Sequence, residues 1–278
     1  MKGRALYLVC GIPAGVVLFV LLTVWFIPND AIMGLMQRGA ENAGYTLAFT
    51  GFGKRPPLAV KADAMELTSA KGPLLKLTQV KAGLEILPLF TGKVRLGYQG
   101  RIGAGEVRGD VDLGKGKGWG IEGSKIRLED IPFFTSVAGA QAKGELKLQG
   151  RVADKKGAPA GELQLQVSGA ELAGVKIGEM PLPDAKYRDV RGALGIDGGV
   201  AHLKSFTLDG DGIYVRLKGD VPLAQPAGNS VLNLTLEMMP RPEFLERQKF
   251  IFLVLLKYQT SPGAYTIPIR GTLAHPAL

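Results

Sequence analysis

Lys143-Gly144-Glu145-Leu146-Lys147-Leu148-Gln149 and Glu162-Leu163-Gln164-Leu165-Gln166-Val167 are the two stretches on which the fold turns. Polar and apolar residues alternate one by one in both. An extended chain sends successive side chains to opposite faces, so each run is a strand with one dry side and one wet side. Leu146, Leu148, Leu163 and Leu165 fall on the dry side. The same rhythm returns in Lys125 to Leu128, in Ile213 to Lys218 with Val215 and Leu217 on the apolar side, and in Val231 to Leu236. Leu58 to Leu67, Leu74 to Leu87 and Lys93 to Tyr98 also read as strands, and Val94 and Leu96 share one face of the last. Asp197-Gly198-Gly199 and Asp209-Gly210-Asp211-Gly212 are short links of the kind that close hairpins.

A sheet with one dry side needs a cover, and the chain offers few helices to provide it. Ile131 to Ala138 has room for about two turns, and Arg241 to Tyr258 reads as one helix. Within the latter, Phe250 to Leu256 is apolar all round, so it is expected to be buried as a plug at one end of the sheet. Contact with lipid is the alternative for that helix. Tyr265 to Leu273 reads as a final strand, with Pro268 suited to an edge. The long antiparallel sheet must then curl on itself as a sandwich, a barrel or an open groove. The fold class is mainly β. Val94, Leu96, Leu146, Leu148, Leu163, Leu165, Val215 and Leu217 are the expected lining of the apolar side.

Ahead of these strands, Ala5 to Ile27 carries no charged residue. A spanning helix needs roughly 20 apolar residues to cross a hydrocarbon core of about 30 Å. Lys2 and Arg4 precede the stretch and Trp25 lies near its far end, which places the N-terminus in the cytoplasm and an indole at the other interface. A cleaved signal peptide has a shorter apolar core and small residues at the cut, whereas this run ends in Trp25-Phe26-Ile27-Pro28. Lipidation at Cys10 is disfavoured by the bulky Tyr7-Leu8-Val9 before it. The expected organisation is a stub and transmembrane anchor over 1–28, a juxtamembrane helix over 29–44 and a β-rich periplasmic domain over 45–278. Asn29 or Asp30 would cap that helix and Gly44 would end it, with Ile32, Leu35 and Met36 on one side.

Composition narrows the chemistry. Cys10 is the only cysteine, so the exported part has no disulfide and no thiol nucleophile. The 39 glycines and 17 prolines suit short strands joined by turns, and 46% hydrophobic content argues against disorder. A net charge of +9 would draw the domain to anionic headgroups or an acidic partner. The basic residues are dispersed along alternating strands, which argues against nucleic acid. Gly118 to Gly123 fits a dinucleotide-loop pattern literally, and Gly109 to Lys115 nearly makes a phosphate loop. Neither is followed by a helical pattern, so both read as turns. His202 and His275 lack companions at metal-ligand spacing, and no nucleophile–base pair is recognisable. No catalytic residue, cofactor or metal is expected.

Three further stretches carry a resemblance: Ile86-Leu87-Pro88-Leu89-Phe90-Thr91-Gly92-Lys93-Val94, Gly199-Val200-Ala201-His202-Leu203-Lys204-Ser205-Phe206-Thr207-Leu208, and Tyr265-Thr266-Ile267-Pro268-Ile269-Arg270-Gly271-Thr272-Leu273-Ala274-His275-Pro276. With Ala142 to Leu146 and the N-terminal anchor, they resemble type II secretion system protein N in its delta-type Gram-negative form, and more distantly AsmA-like envelope proteins. The likeness lies in spacing and apolar pattern rather than in polar residues. It implies a non-enzymatic, single-pass inner-membrane protein whose taco-shaped or groove-like sheet assists secretion from the periplasm alongside other type II secretion subunits. The alternative it carries is a lipid-binding or lipid-transfer groove for phospholipid acyl chains.

Overall fold

The computed structural model describes residues 26–278 except 57, 90, 115–117, 156, 178–179 and 225–226. Lys2, Arg4, Trp25 and all of the expected anchor but Phe26 and Ile27 lie outside the described residues. No described helix is long and apolar enough to cross a membrane.

Helix α1 (Asn29–Asn42) opens without a side-chain cap. Pro28 stands where Asn29 or Asp30 was expected to act, and its carbonyl accepts from the N–H groups of Ala31 and Ile32. The helix ends as expected at Gly44, whose φ of 84° only glycine adopts freely. Gly44 N–H bonds Glu41 O and Tyr45 N–H bonds Ala40 O, which satisfies two of the last carbonyls. Leu35 does not join Ile32 against the sheet and is exposed.

Then follow β1 (Thr46–Thr50), β2 (Gly53–Arg55), β3 (Ala59–Ser69), β4 (Gly72–Leu84), a single turn α2 (Ile86–Leu89), β5 (Arg95–Ile102), β6 (Gly105–Asp112) and β7 (Gly118–Arg127). Leu128–Asp130 is a 3-10 turn and α3 covers Pro132–Ser136. Next come β8 (Gln141–Lys155), β9 (Ala158–Ala173), a small hairpin of β10 (Lys176–Ile177) and β11 (Met180–Pro181), β12 (Ala185–Asp197), β13 (Val200–Gly210), β14 (Ile213–Pro222) and β15 (Asn233–Pro240). The chain closes with α4 (Pro242–Arg247), α5 (Lys249–Val254), a 3-10 turn at Leu256–Tyr258, β16 (Gln259–Ser261), β17 (Ala264–Gly271) and β18 (Pro276–Ala277).

One antiparallel sheet takes in sixteen of these strands, in the order β1-β3-β4-β5-β6-β7-β8-β9-β12-β13-β14-β15-β17-β16. β2 pairs with β3 and β18 with β17 off that path. The sheet is not flat. Lys71, in the β3–β4 turn, donates to the carbonyl of Ala274 beyond β17. Ten strand steps separate β4 from β17. At about 4.8 Å per step that is about 48 Å in a flat sheet, far beyond a lysine's reach. The sheet therefore curls until its early and late strands meet.

Three sequence expectations need correction. Leu74 to Leu87 does not stay extended: β4 stops at Leu84, because Pro88 has no N–H for a ladder and its carbonyl instead collects the N–H groups of Thr91 and Lys93. The two Gly-rich stretches are not simply turns: Gly109 to Asp112 ends β6, and Gly118 to Gly123 is the first part of β7. Its glycines supply room rather than positive φ: a Cβ on Gly123 would lie 2.8 Å from Ile126. Arg241 to Tyr258 is not one helix. It breaks at Gln248, where φ is −111° and ψ is 26°.

The break explains why the segment is only half a plug. Phe244, Phe252 and Leu255 go into the main core, where the Phe244 and Phe252 rings stand 6.1 Å apart and Phe252 lies 5.1 Å from Tyr265. A helix laid over the end of a sheet buries one side only, so Phe250 stays 84% exposed and Leu253, Val254 and Leu256 are also exposed. Pro268 sits as expected: between Tyr265 and Arg270, β17 has no outer neighbour among the described residues.

Candidate functional site

Strand register assembles the dry side into rows. Leu146, Val167, Val190, Leu208, Val215, Met238 and Tyr265 stand opposite one another from β8 to β17. All but Leu146 are buried. Beyond this row, α3, α4 and α5 close one end of the strands. The next row is Leu148, Leu165, Gly192, Phe206, Leu217, Leu236 and Ile267. Its members from Leu148 to Leu217 are half-buried where they carry a side chain, and Leu236 and Ile267 are buried. The third row repeats that gradient, with Leu163, Leu194 and Leu203 half-buried and Leu234 and Ile269 buried. The apolar face is thus sealed at the helix end and under the last strands and is looser across these two rows, while Val152 and Ala201 in the row beyond are buried again.

The eight expected lining residues divide accordingly. Leu146, Leu148, Leu163, Leu165 and Leu217 lie together on this face and are half-buried. Val215 is sealed in the core at 5% exposure, so it is packing rather than lining. Leu96 sits farther along, opposite Leu84 and Val111. Val94 falls just before β5 and is exposed at the rim, joined to it through its carbonyl, which accepts from Leu113 N–H.

At the open end, opposite α3, α4 and α5, two apolar hollows adjoin the sheet. One, of about 260 Å³, lies between α1 and β3–β5 and is lined by Ile32, Met36, Leu58, Val60, Ala82 and Leu96. The other, of about 350 Å³, is lined by Val111, Leu113, Trp119, Val152 and Pro159 among others. The chain arrives here from its N-terminus: the Lys54 ammonium bonds the carbonyl of Ile27.

The wet side carries a lattice of cross-strand ion pairs. Arg95 bonds Asp112 at 2.8 Å, Arg108 bonds Glu122 at 2.9 Å, Arg151 reaches Asp110 at 2.9 Å and Lys186 meets Glu171 at 2.7 Å. The hydrogen bond from Arg108 holds the Glu122 carboxyl below the usual range, and that from Arg95 does the same for Asp112. Two hollows lie among these charges. The larger, about 740 Å³, is lined by Arg108, Asp110, Glu122, Arg151, Glu162 and Gln164 among others. Its neighbour, about 560 Å³, runs on past Lys147, Gln166 and Arg191 to Ser205. The alternation of carboxylates with lysine and arginine along the strands reads as solvated cross-strand partners, which these are, but it does not say which residue pairs with which. Apart from Arg191 with Asp189, the ion-pair partners among them lie 14 to 42 positions away in the chain.

Catalytic geometry is sparse. His202 Nδ1 lies 2.6 Å from Asp220 Oδ1, a cross-strand pair at the surface. Among the described residues no group of three or more His, Cys, Asp or Glu could hold a metal ion. Comparisons with protein-family models, with curated proteins and with solved structures find no match.

Proposed function

We propose that the protein is a non-enzymatic component of the type II secretion system, anchored in the inner membrane by 5–27 with its curled, groove-like sheet in the periplasm. There it assists the assembly of the machine or the export of folded proteins. The sequence resemblance motivates this reading, and one structural observation carries it: the broad hollow across β6, β7, β8 and β9 whose rim alternates arginine with carboxylate. Such a surface suits a folded protein partner with matching charges, because complementary charge sets register and excludes wrong partners. It suits a small apolar substrate poorly. The outer side of β1, at the edge of the sheet, offers a second route by strand addition. The test is a clean deletion complemented with wild-type chain or with Arg108→Glu/Arg151→Glu. Secretion of folded substrates should fall in the deletion and stay low with the charge-reversed chain. Unchanged secretion in the deletion would remove the proposal.

A second reading, an AsmA-like groove for phospholipid acyl chains, is favoured by the burial gradient of the dry side. Half-buried leucines at Leu148, Leu163, Leu165 and Leu217 give way to apolar hollows at the open end. Apolar lining of this kind gains about 0.8 kcal/mol per buried methylene. Gentle extraction followed by native mass spectrometry tests it. Retained phospholipid supports the groove, and a lipid-free chain from membranes rich in lipid counts against it.

A further inference from the structure

We infer that the open end of the sheet is itself seated in the membrane surface, so that the protein holds the bilayer twice, by its N-terminal span and by an apolar tip of the β domain. The inference rests on the anchor reading of Ala5 to Ile27. The tip is built from two connections and the start of one strand, all at one end of the sheet. Leu87 is 81% exposed and Ile86 is also exposed. They follow Glu85, whose N–H bonds Arg95 O at the start of β5. Leu113 is 55% exposed beside Val94, and Trp119 is exposed opposite Val111. Ile86, Leu87, Val94, Leu113 and Trp119 thus form one rim, contributed by β4–β5, β6–β7 and the start of β7.

Soluble surfaces scatter large apolar residues singly, whereas a contiguous exposed set marks contact with a partner or with lipid. Lipid is the occupant here because of where the chain goes. Ile27, the end of the uncharged stretch, is held by Lys54 at the same end of the sheet. Ile32 and Met36 of α1 share a hollow with Leu58, Val60 and Leu96 of the domain. A bilayer that contains 5–27 therefore lies within reach of the rim. Trp119, and the exposed Lys93 and Arg55 at the same end of the sheet, are the residue types that settle at headgroup level. The exposed apolar residues of α5 lie at the opposite end of the strands, with the 15 residues of β8 running between the two ends. At about 3.3 Å per residue that is about 50 Å. With the strands upright on the bilayer only one end reaches a leaflet, and the anchor selects the open one.

The test uses the full chain with Cys10→Ala, carrying a single cysteine as Leu87→Cys, Leu113→Cys or Phe250→Cys, labelled with an environment-sensitive fluorophore. Each protein is reconstituted in phosphatidylethanolamine/phosphatidylglycerol vesicles with and without brominated acyl chains, and flotation is scored in parallel. Leu87 and Phe250 are both exposed, so label at either leaves the fold intact. Quenching at positions 87 and 113 should be about threefold or more above that at 250. Equal quenching at the three sites, in protein that floats with the vesicles, overturns the tip while leaving the anchor standing. Protein that fails to float overturns the anchor reading, and the tip falls with it.

Discussion

The Tyr98 hydroxyl on β5 reaches past Gly109 of β6 and donates to the carbonyl of Gly120 on β7, 3.0 Å away. One side chain thereby ties three successive strands. The arrangement requires glycine at 109, since a Cβ there would lie 2.1 Å from Gly120 O and 2.5 Å from the tyrosine ring. Gly109→Ala should cost about 1–3 kcal/mol of stability through overpacking. Tyr98→Phe should cost about 1 kcal/mol, the ordinary worth of one hydrogen bond. Urea unfolding of both measures this, and the double variant Gly109→Ala/Tyr98→Ala should not recover, because the clash with Gly120 O remains.

Tyr187 makes the fold sensitive to alkali. Burial raises its phenol from 10.0 to about 12. Its folded pKa lies above its unfolded one, so this contribution is complete below pH 10 and is lost as pH rises from there to about 12. A shift of that size corresponds to about 2.7 kcal/mol. Denaturant midpoints measured across that window should fall steeply in the wild type and less so in Tyr187→Phe.

Two phenylalanines only two residues apart should behave as opposites. Phe252→Ala empties the contact with Phe244 and Tyr265 and should cost about 3–5 kcal/mol. Phe250→Ser removes an exposed ring and should shift stability by no more than about 0.5 kcal/mol. Thermal melts of the pair decide it. Equal losses would mean that Phe250 is covered by something in the folded protein.

Lys125 holds a left-handed backbone, with φ of 54°, where the β7–β8 register slips between Gly123 and Ile126. Glycine adopts that conformation without the Cβ penalty. Lys125→Gly should therefore raise stability by about 0.5–1 kcal/mol. An unchanged or lowered unfolding midpoint would argue that the lysine side chain holds the bulge by contacts of its own.

Photocrosslinking in cells separates the two functional readings. A photoreactive residue at Leu148 samples the dry side, and one at Lys147 the wet side. Lipid adducts at 148 alone would favour the acyl-chain groove. Protein adducts at 147, with only self-contacts at 148, would favour a closed core and a docking scaffold.

Much of this architecture was legible in the chain. Alternation over 143–149 and 162–167 marked two neighbouring strands and their facing sides correctly, because a period of two leaves a residue little choice of face. What stayed hidden was long-range. Val215 alternates just as Leu217 does, yet it is core, because the helices at one end cover its row and not the next. The glycines of 118–123 read as turns because local pattern knows nothing of Tyr98, which lies 22 residues before Gly120. The break at Gln248 follows from what Phe244 and Phe252 must reach. Alternating charges along the strands marked cross-strand partners, but which residues pair, and that they share one surface, depends on register.

Sequence order and sheet order almost coincide. From β3 to β9 each strand pairs with the next one made, and from β12 to β15 the same holds. A chain of this kind need not wait for a distant segment before its ladder begins. Delivered N-terminus first, it can lengthen its sheet one hairpin at a time, each new strand zipping onto the edge left by the last. The growing edge stays unpaired and adhesive throughout that process. At β17 that edge is met only at its two ends, by β16 and β18, and Pro268 between them has no N–H to offer another strand.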